Sequence, residues 1–161
     1  MNIVVANRQQ TKRINARLLK QIVDTLLAEL EVTEAELGIN LVAAREMTLV
    51  NETFLNHTGS TDVITFDHTE KRRAKGRKSK ELHGELFICI DDAIAQAKEF
   101  KTNWQSEIVR YVVHGVLHLL GYDDLKPQLR RQMKREENRL VRNLALRFSL
   151  AQVARTTKIS T

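Results

Sequence analysis

The chain has 161 residues, 42% hydrophobic and 29% charged, with 26 Lys and Arg against 20 Asp and Glu for a formal net charge of +6. That composition fits one folded domain over residues 1–161, large enough to bury a real core. It excludes an intrachain disulfide, because Cys89 is the only cysteine, and a helical membrane span, because no stretch approaches the ~20 apolar residues required.

From the N-terminus, MNIVVANRQQTKR has no charged start leading into an apolar run, so no signal peptide is expected and the expected compartment is the cytoplasm. Asn2 to Ala6 is a β-branched apolar run and reads as a first strand. Arg13 to Glu31 repeats apolar residues at Ile14, Leu18, Ile22, Leu26 and Leu30, which is helical spacing. Gly38 stops the acidic segment that follows, and Ile39 to Ala44 reads as a second strand. Glu46 to Asn56 returns to helical character, and Asn56 to Ser60 is a loop. Asp62 to Asp67 alternates like a strand. Residues 71–80, KRRAKGRKSK, read as a long basic loop, and Gly84 to Ile90 as a strand apolar enough to be central in a sheet. Cys89 lies in that run, where a buried and inert thiol is expected.

The rest of the chain reads as helix. Asp91 is placed to cap a helix running to Phe100, and Thr102 with Gln105 has capping-box spacing for the next. That helix, Gln105 to Leu120, is apolar on nearly every side and so should be buried. Its one polar stripe is Glu107, Tyr111, His114 and His118. Pro127 suits the start of a charged last helix from Gln128 to Leu146, and residues 149–161 have weak pattern and are expected to form a ragged tail. The order of elements is an α+β plan with helices packed on one sheet.

The chemistry-bearing stretch is His114 to Asp124. Residues four apart on a helix share a face, so His114 and His118 can point two imidazoles at one ion. Gly121 is a natural left-handed helix stop, after which the chain can bring Asp123 or Asp124 round to the same ion. Two imidazoles and a carboxylate suit zinc with an open position, and also iron or manganese. The HExxH pattern of zinc peptidases needs a glutamate after the first histidine, and Gly115 stands there. The net positive charge favours a polyanionic partner. Lys71, Arg72, Arg73, Lys75, Arg77, Lys78 and Lys80 are the candidate phosphate contacts.

His114 to Asp124 resembles the signature of the YbeY family of metal-dependent bacterial endoribonucleases, His-Gly-x-Leu-His-Leu-x-Gly-Tyr-Asp-His, and agrees with it at every position but the last. Upstream, Thr61 to Phe66 resembles the family's Thr-(Asp/Asn)-Val-Leu-Ser-Phe strand, and Asn51 fits the asparagine of the preceding helix. His83-Gly84-Glu85-Leu86 is similar to Leu-Gly-Asp-Ile, and Met133 and Glu137 fit the helix after the site. The resemblance runs from Ile39 to Leu146. It implies a mostly parallel four- or five-stranded sheet with a zinc site on a buried helix. It further implies single-strand-selective RNA cleavage, maturation of the small-subunit ribosomal RNA 3′ end, ribosome quality control, and RNA and the small ribosomal subunit as partners. No small-molecule cofactor is implied beyond the ion.

The same resemblance makes Asp124 the third ligand beside His114 and His118, where the family has histidine. A carboxylate there lowers the formal charge of the centre and makes the ion a weaker Lewis acid. Leu55 aligns with a family arginine that faces substrate phosphate, and no Lys or Arg occurs from Met47 to Glu70. The basic run is the expected substitute. The general base is not assigned; Glu85 and Asp62 are the acidic candidates. Asp123 is expected to orient a histidine, and Tyr122 to be a packing residue. The rival readings are a zinc peptidase and a non-catalytic RNA-binding factor of ribosome biogenesis.

Overall fold

The computed structural model describes residues 1–69 and 80–155. Within them the chain runs β1 (Asn2–Asn7), α1 (Ala16–Glu29), β2 (Val32–Val42), α2 (Ala44–Leu55), β3 (Val63–Asp67), β4 (Lys80–Cys89), α3 (Ile90–Phe100), α4 (Trp104–Leu119) and α5 (Pro127–Arg147), followed by a 3-10 turn (Leu150–Val153). The described strands form one sheet in the order β1-β2-β4-β3. β1–β2 and β2–β4 pair in parallel and β3–β4 antiparallel. This is the α+β plan and mostly parallel sheet that the sequence implied.

The period of two along β4 decides what lies on each face of the sheet. Leu82, Leu86 and Ile88 point into the main core with α1 and α4. Phe87 and Cys89 point the other way, into a smaller cluster with Val42, Met47, Val50 and Ile64 beneath α2. Cys89 is fully buried, and that burial pushes its thiol up to about 11. Helix α4 is buried along nearly its whole length, as its all-round apolarity predicted. Leu117 alone, with 0% of its surface exposed, contributes about 1.5–3 kcal/mol of transfer free energy.

Several boundaries differ from the sequence reading, each for a local reason. β2 begins at Val32, well before Ile39, and Gly38 lies inside the strand opposite Val4 and Glu85. Glu31 takes a left-handed conformation (φ 59°) directly after α1, so the chain turns at once into the sheet. The acidic segment is a strand with Ala35 and Leu37 inward and Glu34 and Glu36 outward. Asp91 does not cap α3. It lies in that helix's first turn, and its Oδ2 accepts a hydrogen bond of 2.6 Å from the Ala44 N–H, at the start of α2.

Asn103, not Thr102, caps α4, its side chain accepting from the Ser106 N–H at 2.9 Å. The Thr102 hydroxyl donates instead to Glu107 Oε1 at 2.8 Å. Of the tail, residues 156–161 lie outside the described residues; before them, Leu150 and Val153 are buried and Ala154 bridges to Ile14. Of the basic run, residues 71–79 lie outside the described residues, while Lys80 opens β4 and donates from Nζ to the Leu30 carbonyl at 3.0 Å.

Candidate metal centre

Helix α4 delivers the two histidines, and its ending delivers the third group. Gly121 has φ 100°, the left-handed region that glycine enters without a Cβ penalty. The Tyr122 N–H bonds to the Leu117 carbonyl and the Gly121 N–H to the His118 carbonyl, both at 3.0 Å. That pairing is a Schellman ending. The chain then reverses over the last turn of α4 and sets Asp124 opposite both rings. Pro127 at the first turn of α5 follows immediately, as expected.

His114 Nε2 and His118 Nε2 lie 3.1 Å apart, with Asp124 Oδ2 at 3.9 Å from the first and 3.6 Å from the second. The other nitrogen of each ring determines what these atoms are. His118 Nδ1 is 3.1 Å from the Tyr122 carbonyl, which can only accept, so that nitrogen carries the proton. His114 Nδ1 is 3.0 Å from Glu137 Oε2 and donates to that carboxylate. In the neutral rings both Nε2 atoms are therefore bare lone pairs, facing each other and a carboxylate oxygen. Three acceptors meeting without a donor repel unless a proton or a metal cation sits among them. Ligands held at about 2.0–2.1 Å around a tetrahedral zinc lie roughly 3.3 Å from one another. The three atoms, all within 4.8 Å of each other, fit such an ion and can hold it.

Glu137 is the residue that sequence reasoning left without a role. It sits on α5, 4% exposed, and also takes Arg110 Nη1 at 2.9 Å. Burial pushes its carboxyl up, but hydrogen bonds from His114 and Arg110 and the charge of Lys134 outweigh that and bring it down to about 2. Its helical pattern showed only a polar residue on a charged helix; nothing local marked it as facing a histidine. Asp123, expected to orient a histidine, does not. Its Oδ1 accepts from the Leu125 N–H at 2.8 Å and shapes the turn. Tyr122 is half-buried against the core, as expected, and holds His118 through its carbonyl.

Two clefts meet at this group. One, of about 560 Å3, runs toward α2 along Asn51, Leu55, Thr61 and Thr65. The other, of about 410 Å3, runs between α3 and α5 along Gln96, Phe100, Arg110, Arg130 and Lys134. Asp62, His114 and Asp124 line both. Asp62 Oδ1 accepts from the Val63 N–H at 2.8 Å and Oδ2 from Gln96 at 3.2 Å. Glu85 lies elsewhere: it points to the α2 side of the sheet beside Gly38, its carboxylate 3.3 Å from His68. Asn51, buried, holds the Gly59 carbonyl at 2.9 Å and so positions the loop before β3. In the polar stripe, Glu107 and Tyr111 are buried. The Tyr111 hydroxyl has no hydrogen-bond partner among the described residues, and burial raises its pKa.

Comparison with known proteins adds an independent line. A protein-family model described as Endoribonuclease YbeY matches residues 4–145. The Endoribonuclease YbeY of Chlorobium phaeovibrioides is 32% identical over 126 residues, covering 78% of this chain and 80% of the relative. That of Salinibacter ruber is 29% identical over 129 residues, covering 80% and 82%. That of Alkaliphilus metalliredigens is 25% identical over 150 residues, covering 91% and 97%. Among solved structures, the solution structure of TM1509 from Thermotoga maritima superposes with a TM-score of 0.67 at 21% identity, covering 100% of both chains, and supports the fold. No helix among the described residues is long and apolar enough to cross a membrane.

Proposed function

The chain belongs to the endoribonuclease YbeY family, and on that premise we propose that it is a metal-dependent, single-strand-selective endoribonuclease whose ion is held by His114, His118 and Asp124. The observation that carries the metal reading is the convergence of His114 Nε2, His118 Nε2 and Asp124 Oδ2, with the other nitrogen of each ring turned to an acceptor. Zinc is the ion the donor set favours, with one position left for substrate. Bound there, it would stabilise charge on the phosphoryl oxygens and ease deprotonation of the attacking water. Glu137 and the Tyr122 carbonyl hold the two rings in the tautomer that ligation needs. Of the two carboxylates considered for proton transfer, Asp62 lines the clefts beside His114 and Glu85 does not.

The proposed setting is maturation of the small-subunit ribosomal RNA 3′ end and ribosome quality control, with RNA and the small ribosomal subunit as partners. The basic run from Lys71 to Lys80 is proposed to hold the RNA backbone. Neutralising Arg72, Arg73, Lys75, Arg77 and Lys78 should weaken RNA binding and flatten its salt dependence; an unchanged salt slope removes that part of the reading. The peptidase alternative loses support at Gly115, the position of the missing glutamate. A Cβ there would meet Leu86 Cδ2 at 2.5 Å, so a larger residue requires Leu86 to move.

The test is cleavage of single-stranded against duplex RNA by the purified chain with added zinc, with His114→Ala as control. Metal-dependent cleavage of the single strand, lost in the variant, is expected. Equal cleavage by both proteins would mark a contaminating nuclease. Zinc binding with no cleavage by either would favour the non-catalytic reading.

A further inference from the structure

We infer that the cleft between α3 and α5 is the nucleotide subsite of this enzyme, with Arg130 contacting a substrate phosphate and Phe100 stacking on the neighbouring base. The inference rests on the ribonuclease reading above and adds the residues that recognise the strand. Both clefts open onto His114 and Asp124, but they differ in charge. No Lys or Arg lines the α2-side cleft among the described residues, whereas Arg110, Arg130 and Lys134 line the other. The α3–α5 cleft also carries Asp62, Glu107, Asp124 and Glu137, so it is not cationic overall, but of the two clefts it is the one that offers a phosphate a basic side chain among the described residues.

Of those three cations, two are already engaged. Arg110 Nη1 lies 2.9 Å from Glu137 Oε1 and 2.7 Å from Asn138 Oδ1, and Lys134 Nζ lies 3.4 Å from Glu137 Oε1. Arg130 makes no ion pair among the described residues. Its Nε donates to the Asp124 carbonyl at 3.1 Å, which anchors the guanidinium beside the third ligand. Its two terminal nitrogens have no partner among the described residues and can make a forked contact to phosphate oxygens. Phe100, the last residue of α3, lines the same cleft with 63% of its surface exposed. An exposed aromatic ring in the same cleft as an arginine is a stacking platform of the kind single-strand binders use, and it tolerates any base. The cleft volume of about 410 Å3 falls in the ~300–1,000 Å3 range of ligand sites.

The experiment is steady-state cleavage of a fluorophore-labelled single-stranded RNA by the full chain with zinc. Wild type is compared with Arg130→Ala, Arg130→Lys, Phe100→Ala and Phe100→Trp, and zinc affinity is measured in each by chelator competition. Arg130→Ala should raise KM about tenfold with kcat nearly held, as expected for one lost charge-assisted contact. It should reduce the salt slope by roughly 0.7. Arg130→Lys should recover part of the loss. Phe100→Ala should raise KM severalfold and Phe100→Trp should retain wild-type KM. Zinc affinity should be the same throughout. Wild-type cleavage with unchanged KM in both alanine variants overturns this inference and leaves the ribonuclease reading standing. A loss of zinc affinity in Arg130→Ala also overturns it, because Arg130 would then act only by holding Asp124. Absence of cleavage by the wild type overturns both.

Discussion

Glu137 Oε2 lies 3.0 Å from His114 Nδ1, joining α5 to α4 across 23 residues of sequence. The contact favours the His114 tautomer whose other nitrogen presents a lone pair to the candidate metal site. Glu137→Gln keeps the size of the side chain but removes the charge that favours a donating imidazole. Zinc affinity should fall about 10–100-fold, the usual cost of losing such an outer partner. Chelator-competition titration reads it directly. Affinity equal to wild type would mean that Glu137 serves only to neutralise Arg110 and Lys134.

The same carboxylate predicts acid sensitivity of the metal-free protein. Its folded pKa is about 2 against an ordinary 4.5, so below about pH 4.5 the unfolded chain takes up the proton more readily. The stabilisation is fully present above the unfolded value and is lost as pH falls toward the folded one. A shift of this size is worth on the order of 3 kcal/mol. Urea denaturation between about pH 5 and pH 2 should therefore show the gap between wild type and Glu137→Gln closing as pH drops. A gap that stays constant across that window would place the effect in packing.

Gly115 is required by close approach. Its absent Cβ would sit 2.5 Å and 2.9 Å from the two methyls of Leu86, where α4 crosses β4. Gly115→Ala should cost about 1–3 kcal/mol by overpacking. Adding Leu86→Ala should return part of that loss, since the two changes share one space and are coupled. Strictly additive costs in a double-mutant cycle would show that the helix simply shifts.

These residues show which parts of the molecule were legible in the sequence. The α4 histidines, the Gly121 stop and the core strand were visible because each is a local pattern: a spacing of four, a glycine after an apolar helix, an apolar run. The start of β2 is not legible in the sequence because its outward Glu34 and Glu36 mask an alternation that only becomes informative once a sheet partner is present. Geometry along the chain left Asp123 and Asp124 equivalent. The turn separates them, by engaging Asp123 Oδ1 with the Leu125 N–H. Glu137 and Asp91 act on partners 23 and 47 residues away, farther than any spacing rule reaches, and Arg130 meets the Asp124 carbonyl only once the turn before α5 is folded.

Asp124→His tests the charge of the centre. Asp124 Oδ2 faces both Nε2 atoms, and its side chain is 40% exposed, so an imidazole has room to take its place. With a carboxylate among the ligands the centre carries less positive charge than with three neutral imidazoles, and it stabilises an anionic nucleophile less well. The substitution should therefore move the acidic limb of the pH–rate profile for RNA cleavage to lower pH, by on the order of one unit. It should raise the rate below neutrality while keeping zinc affinity. Asp124→Ala, which removes a ligand without replacing it, should weaken zinc binding and lower the rate at every pH. If the limb stays in place in Asp124→His while zinc still binds, the titrating group is not under the control of this ion. If Asp124→Ala binds zinc as tightly as wild type, Asp124 is not a ligand.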